Sequence, residues 1–168
     1  MTPTVEETGD YIAAAGKAAW EVPGLDASTP QREIKTVGII GAGTMGGGIA
    51  MNFATAGYDI KIVETTQEAL DRGLKVVRGN YQRSSDKGRF PQEEVEARMG
   101  RFDGRLELAD LANCDLIIEA VFEDMDLKRK IFTELDRVCK EGAILATNTS
   151  ALDINEIAAM TRRPQDVI

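Results

Sequence analysis

The sequence predicts an α/β fold: a doubly wound, mainly parallel sheet with a helical hairpin inserted after the second strand. Three observations carry this. A short β-branched run, Val37–Ile40, passes into Gly41-Ala42-Gly43-Thr44-Met45-Gly46 and then into a helical pattern. Further short apolar runs alternate with helical stretches, as βαβ units require. One of them, Asp115–Val121, is almost continuously apolar, which suits a parallel strand covered on both faces.

The glycine turn comes first because the rest is ordered around it. Gly41 suits a tight turn that a side chain would forbid. The missing Cβ of Gly43 lets a pyrophosphate approach the backbone, and that of Gly46 lets the helix lie close to the strand. The helix N-terminus adds unpaired N–H groups and a positive dipole end. Strand, glycine turn and helix in this order point to a dinucleotide phosphate site.

Before it, residues 1–34 read as an extension or linker and residues 35–168 as one dinucleotide-binding domain. Glu6–Trp20 is Ala-rich and helical in pattern, Pro23-Gly24 breaks it, and Asp26–Pro30 reads as linker. After the turn, Met45, Ile49, Phe53 and Ala56 fall at helical spacing, and Gly57 ends the helix. Asp59–Val63 is the second strand, with Glu64 at its carboxyl end, about 20 residues after the turn. A carboxylate there accepts hydrogen bonds from an adenosine 2′-hydroxyl and repels a 2′-phosphate, so Glu64 selects NAD over NADP. Gln67–Gln82, a turn at Ser84–Gly88, and Pro91–Met99 form the helical hairpin. It is locally basic, either as a solvated surface or as a contact for an anionic substrate.

Arg105–Leu108 reads as a short third strand and Asp110–Cys114 as a helical turn. Asp115–Val121 follows, then the amphipathic helix Asp126–Cys139 with Leu127, Ile131, Leu135 and Val138 inward. Lys128 in its first turn opposes the helix dipole, a local cost that a functional contact would explain. Strand Ala143–Thr147 leads to Asn148-Thr149-Ser150 and a helix over Asp153–Met160. Asp166–Ile168 begins another strand. Ligands of such sheets sit outside the carboxyl ends of the strands, which places Val121, Phe122, Glu123 and Asn148–Ser150 on the ligand side.

Composition bounds the partners. The net charge of −8 argues against nucleic acid, and no apolar run is long enough to span a membrane. Polar, acidic Met1–Asp10 is no signal peptide. Cys114 and Cys139 read as two free thiols in a reducing compartment, the cytoplasm. No metal-ligand cluster is legible. The 168 residues contain no histidine, so the usual general base is missing.

Taken together, GAGTMGGGIA at 41–50, IIEAVFED at 117–124, Lys128 and NTSALDINEIA at 148–158 resemble the Rossmann-type NAD-binding domain of L-3-hydroxyacyl-CoA dehydrogenases. The segment from Tyr11 to Pro30, with Trp-x-x-Pro-Gly, resembles the linker that follows a crotonase-like hydratase domain in multifunctional fatty-acid oxidation proteins. The resemblance implies oxidation of (3S)-3-hydroxyacyl-CoA to 3-oxoacyl-CoA with NAD⁺. It implies that Gly41–Gly46 cradle the pyrophosphate and that Glu64, where the family usually has Asp, holds the adenosine ribose. Ala120, Val121, Phe122, Glu123 and Lys128 would line the nicotinamide-ribose end. Ser150 would act beside the substrate oxygen, supported by Asn148, and the hairpin would take part of the CoA. The family's catalytic His would follow Ile168, with a helical domain through which the family forms homo-oligomers. Two other readings stay open: a related dehydrogenase of another hydroxy acid or sugar acid, and a non-catalytic dinucleotide-binding module.

Overall fold

A computed structural model describes the backbone of residues 5–26 and 28–168, with side chains from Thr8 onward. Of the acidic N-terminal stretch and the linker at Asp26–Pro30, residues 1–4 and Ala27 lie outside the described residues. The chain divides into two compact units, residues 1–32 and 33–168. The first contains helix α1 (Val5–Ala18), whose side chains from Thr8 onward are exposed, as is Trp20.

The second unit is an all-parallel sheet in the order β3-β2-β1-β4-β5. Its strands are β1 (Thr36–Ile40), β2 (Asp59–Val63), β3 (Phe102–Arg105), β4 (Leu116–Glu119) and β5 (Ile144–Thr147). Parallel neighbours need crossovers, and helices supply most of them: α2 (Thr44–Thr55), the hairpin α3 (Gln67–Asp86) and α4 (Gln92–Met99), and α5 (Met125–Val138). A short α6 (Ile154–Ala158) follows β5. The last residues then run beside it, with Val167 opposite Leu145 in a parallel bridge.

Both sheet faces are covered, which explains the near-continuous apolar strands. Val37, Ile39, Ile60 and Ile62 pack with Ala50, Ala54 and Leu70 on the α2–α3 side. Ile40, Ile117 and Leu145 pack with Phe132, Leu135 and Ile157 on the α5–α6 side. Val77, Tyr81 and Val95 form a smaller core inside the hairpin, where Arg98 stacks over the Phe90 ring at 4.0 Å.

Several boundaries differ from the sequence expectation. Helix α3 runs through Ser84–Asp86, which small polar residues marked as a turn. Gln82 donates to Asp86 and the Ser84 hydroxyl to the Asn80 carbonyl, so these side chains bond along the helix. Pro91 caps α4 instead of opening it. Strand β3 lies at 102–105, not 105–108. Phe102 packs against the core, and Gly104 sits where a Cβ would come within 2.8 Å of Leu70. Residues 108–111 form a 3-10 turn instead of a helical turn over 110–114, and β4 is shorter than Asp115–Val121. On α2 the fully buried face is Gly46, Gly47, Ala50 and Ala54, with Ile49 and Phe53 packed beside it and Met45 exposed, because the helix approaches the sheet closely enough to favour small residues. On α5 the most buried side chains are Lys128, Phe132 and Leu135, while Leu127 and Ile131 turn toward a surface cleft.

Candidate functional site

The strand order reverses between β1 and β4, and the glycine turn sits at that switch point on the carboxyl side. Gly41 has φ +99°, and a Cβ on it would meet the Ala120 carbonyl oxygen at 2.8 Å. At Gly46 a Cβ would lie 1.9 Å from the Gly41 carbonyl oxygen. Both positions therefore demand glycine for the protein's own packing. Gly43 differs: a Cβ there would meet nothing within 4 Å. Its missing side chain leaves open space over the start of α2. Helices α3, α5 and α6 each donate a backbone N–H to their N-cap side chain, whereas α2 has no such acceptor at Gly43 and no acidic residue in its first turn. Its leading N–H groups face the opening without a side-chain acceptor, which suits a pyrophosphate.

A cleft of about 500 Å³ runs past this opening. Gly41, Gly43, Thr44, Met45, Glu64, Ala120, Val121 and Phe122 all line it. Most of its remaining wall is apolar, including Leu106, Leu108, Leu127 and Ile131, which the sequence does not point to as site residues. Ile131 packs against the core as the helical pattern predicts and also borders the cleft, whereas Leu127 turns to the cleft; the signal for this is their position just after a strand's carboxyl end. A second cavity of about 330 Å³ adjoins the turn between α2 and α3, bordered by Ala42, Gly48, Arg72 and Asn80.

Glu64 faces both openings. One of its carboxylate oxygens accepts from the Ala42 N–H at 2.7 Å and the other from the Thr65 N–H at 3.1 Å. A carboxylate offers about four lone-pair sites, so capacity remains for ribose hydroxyls. Arg72, which borders the second cavity together with Glu64, is tied to Glu68 at 2.5 Å. These residues fit an adenine dinucleotide without a 2′-phosphate.

Beyond the turn the ligand side is built on charge. Glu119, at the end of β4, and Lys128 are both fully buried. The Lys128 Nζ lies 2.7 Å from each Glu119 oxygen and 3.5 Å from Glu123 Oε2. Glu119 also accepts from the Val121 N–H at 2.7 Å and the Thr147 hydroxyl at 2.6 Å. Glu123 accepts from the Thr149 hydroxyl and from the Ser150 and Ala151 N–H groups. The Thr149 hydroxyl above all, then the Ser150 N–H, with Lys128 adding attraction, hold the Glu123 carboxyl below its ordinary range.

Lys128 is thus neither solvated nor lining the cleft. Its ammonium is turned under the rim, where burying a charge requires a partner. Sequence reasoning missed that partner. The available signal was Glu119 itself, a carboxylate inside an apolar strand. Asn148 donates its N–H to the Glu119 carbonyl, and Ser150 stands exposed at the loop. Glu123, Lys128, Asn148 and Ser150 are joined to the cleft through Ala120–Phe122 rather than being part of its lining. Cys114 and Cys139 are free and buried, and burial pushes both thiols up to about 11, so neither is a ready nucleophile.

Among the described residues no helix is long and apolar enough to cross a membrane. Residues 36–168 match the family model described as "3-hydroxyacyl-CoA dehydrogenase, NAD binding domain". The peroxisomal bifunctional enzyme of Cavia porcellus is 42% identical over 94% of this chain and 22% of its own length. A probable 3-hydroxybutyryl-CoA dehydrogenase of Bacillus subtilis is 41% identical over 81% of this chain and 47% of its own. The solved dehydrogenase part of multifunctional enzyme 1 from C. elegans superposes with a TM-score of 0.81, at 32% identity, over 96% of this chain and 38% of that one. The chain therefore spans less than half the length of these relatives. It belongs to the 3-hydroxyacyl-CoA dehydrogenase NAD-binding domain family.

Proposed function

We propose that this chain is the cofactor-binding part of an enzyme that oxidises (3S)-3-hydroxyacyl-CoA to 3-oxoacyl-CoA in fatty-acid β-oxidation. The observation that carries the reading is an open Gly43 beside an α2 start without a side-chain cap, with the Glu64 carboxylate at its edge. NAD⁺ supplies the hydride acceptor when bound. The first N–H groups of α2 hold its pyrophosphate, and Glu64 accepts from the adenosine ribose while repelling a 2′-phosphate. Met45, Ala120, Val121 and Phe122 line the cleft and would lie against the cofactor. Glu123, Lys128, Asn148 and Ser150 organise the nicotinamide end, where the Ser150 hydroxyl donates to the substrate oxygen. Removing the hydroxyl proton needs a base, a step worth about 10²–10⁴-fold, and these residues contain no histidine to do it. The chain alone is therefore expected to bind NADH without turnover.

An acyl-CoA is favoured over another hydroxy acid by the NTSALD stretch and by the basic hairpin. The guinea pig relative aligns over nearly the whole chain, N-terminal segment included, which supports a multifunctional parent with a crotonase-like domain upstream. Such a parent would assemble as a homo-oligomer through segments outside this chain. The two free thiols fit a reducing compartment such as the cytoplasm. Calorimetric titration with NADH and NADPH tests the cofactor site: NADH should bind about tenfold or more tightly than NADPH. Preference for NADPH would overturn it. Robust hydroxyacyl-CoA oxidation by this chain alone would overturn the account of the missing base.

A further inference from the structure

The Glu119–Lys128 pair is unlike the chain's surface ion pairs. Neither side chain reaches solvent, and apolar pairs of similar volume often hold a fold as well as or better than a buried ion pair. Yet each bond it makes joins segments of the ligand rim. Glu119 ties the end of β4 to Val121 ahead of it, to Thr147 at the end of β5 and to Lys128 in the first turn of α5. Of the three protons on the ammonium, two are directed at Glu119, leaving one toward Glu123 at 3.5 Å. Glu123 in turn holds Thr149, Ser150 and Ala151.

We propose that Glu119 is a positioning residue for the nicotinamide half of the bound cofactor: by fixing Lys128 it leaves the Glu123 carboxylate free to hold the 148–151 loop that carries Ser150. This rests on the NAD reading above. Without the Glu119 charge, the buried ammonium has Glu123 as its nearest remaining anion. It would draw that carboxylate inward, away from the Thr149 hydroxyl and the Ser150 and Ala151 N–H groups. The loop would loosen, while Glu64, which follows β2 on the other side of β1, and the start of α2, which is not among the bonding partners of Glu119, would keep their geometry.

The test is Glu119→Gln in this chain, titrated with NADH and separately with ADP, which engages only the adenosine and phosphate contacts. NADH should weaken about tenfold, ADP should stay within about twofold, and the fluorescence enhancement of bound NADH should fall. Amide exchange at 149–151 should quicken in the unliganded variant. Should the single variant fail to fold, Glu119→Asp keeps a buried charge for Lys128 but withdraws the carboxylate by one methylene, and should show a smaller split of the same kind, with NADH weakened about threefold and ADP unchanged. Equal loss of both ligands, or unchanged NADH binding in a folded variant, would overturn the proposal. Wild-type chain that binds neither ligand would overturn the cofactor reading and this inference with it.

Discussion

Strand β4 has a carboxylate with a lysine partner at each end, and the two ends are built for different purposes. Asp115, just before the strand, accepts from the Lys35 and Thr36 N–H groups at 2.8 and 2.9 Å and from the Lys140 ammonium at 2.5 Å. It sews the starts of β1 and β4 to the end of α5, and its side chain is 18% exposed. Glu119, at the far end, is fully buried, and its partners belong to the segments that surround the cofactor cleft. The chemistry is the same, a carboxylate shared between a lysine and backbone N–H groups. The settings differ: one rim is closed by its own chain, and the other is held rigid but open. Damage to the first should appear in stability, and damage to the second in ligand binding.

The largest effect should come from the glycine turn, where two glycines separate these outcomes. Gly46→Ala forces a Cβ to 1.9 Å from the Gly41 carbonyl oxygen, so either the turn or α2 must move. NADH affinity should fall by about 100-fold or more, with a lowered melting temperature. Gly43→Ala meets no protein atom. It should melt like the wild type, within about 2 °C, yet weaken NADH and ADP alike, because its methyl enters the space the pyrophosphate needs. Calorimetry and thermal melts of the pair decide it. A Gly43→Ala variant that binds ADP normally would show that the phosphate does not sit there.

A smaller effect is expected at Glu64. Glu64→Gln keeps an oxygen to accept from the Ala42 N–H and removes the charge facing the adenosine ribose. The preference for NADH over NADPH should narrow by about tenfold, with melting unchanged. Unchanged discrimination would transfer specificity to other residues around the second cavity, Arg72 first among them.

The sequence exposed the parts of this molecule that depend on local rules. The strand–glycine–helix order, the strand Asp59–Val63 and the carboxylate at Glu64 follow from backbone freedom and spacing, and each lies where expected. What escaped depends on pairing across the sheet. Leu106 and Leu108 look like alternating strand residues, but Phe102 and Gly104 fit beside Leu70, and the register moves with them. Lys128 reads as a first-turn lysine held by a ligand contact, because its anion is nine positions earlier on another element. No helical or strand period links those positions, so only the need to neutralise a charge in an apolar strand could have joined them.

The smallest predicted effect tests the opposite rim. Lys140 above all, with the Thr36 N–H, holds the Asp115 carboxyl down to about 2. A group whose pKa is depressed by folding stabilises the fold above its unfolded value, near pH 4, and loses that contribution as pH falls toward the folded value. Taken at face value such a shift is worth more, but the ion pair is open to solvent on the Lys140 side, so about 1 kcal/mol is expected near neutral pH. Asp115→Asn should therefore melt about 3 °C lower at pH 7, with its stability curve meeting the wild-type curve as pH falls below about 2. Its NADH affinity should be unchanged, because none of the Asp115 partners lies on the ligand rim. An Asp115→Asn variant that lost NADH binding while keeping its melting temperature would erase the distinction between the two ends of β4. Loss of stability alone would place the tenfold effect expected of Glu119→Gln in its location beneath the cleft, rather than in the mere breaking of a lysine–carboxylate pair.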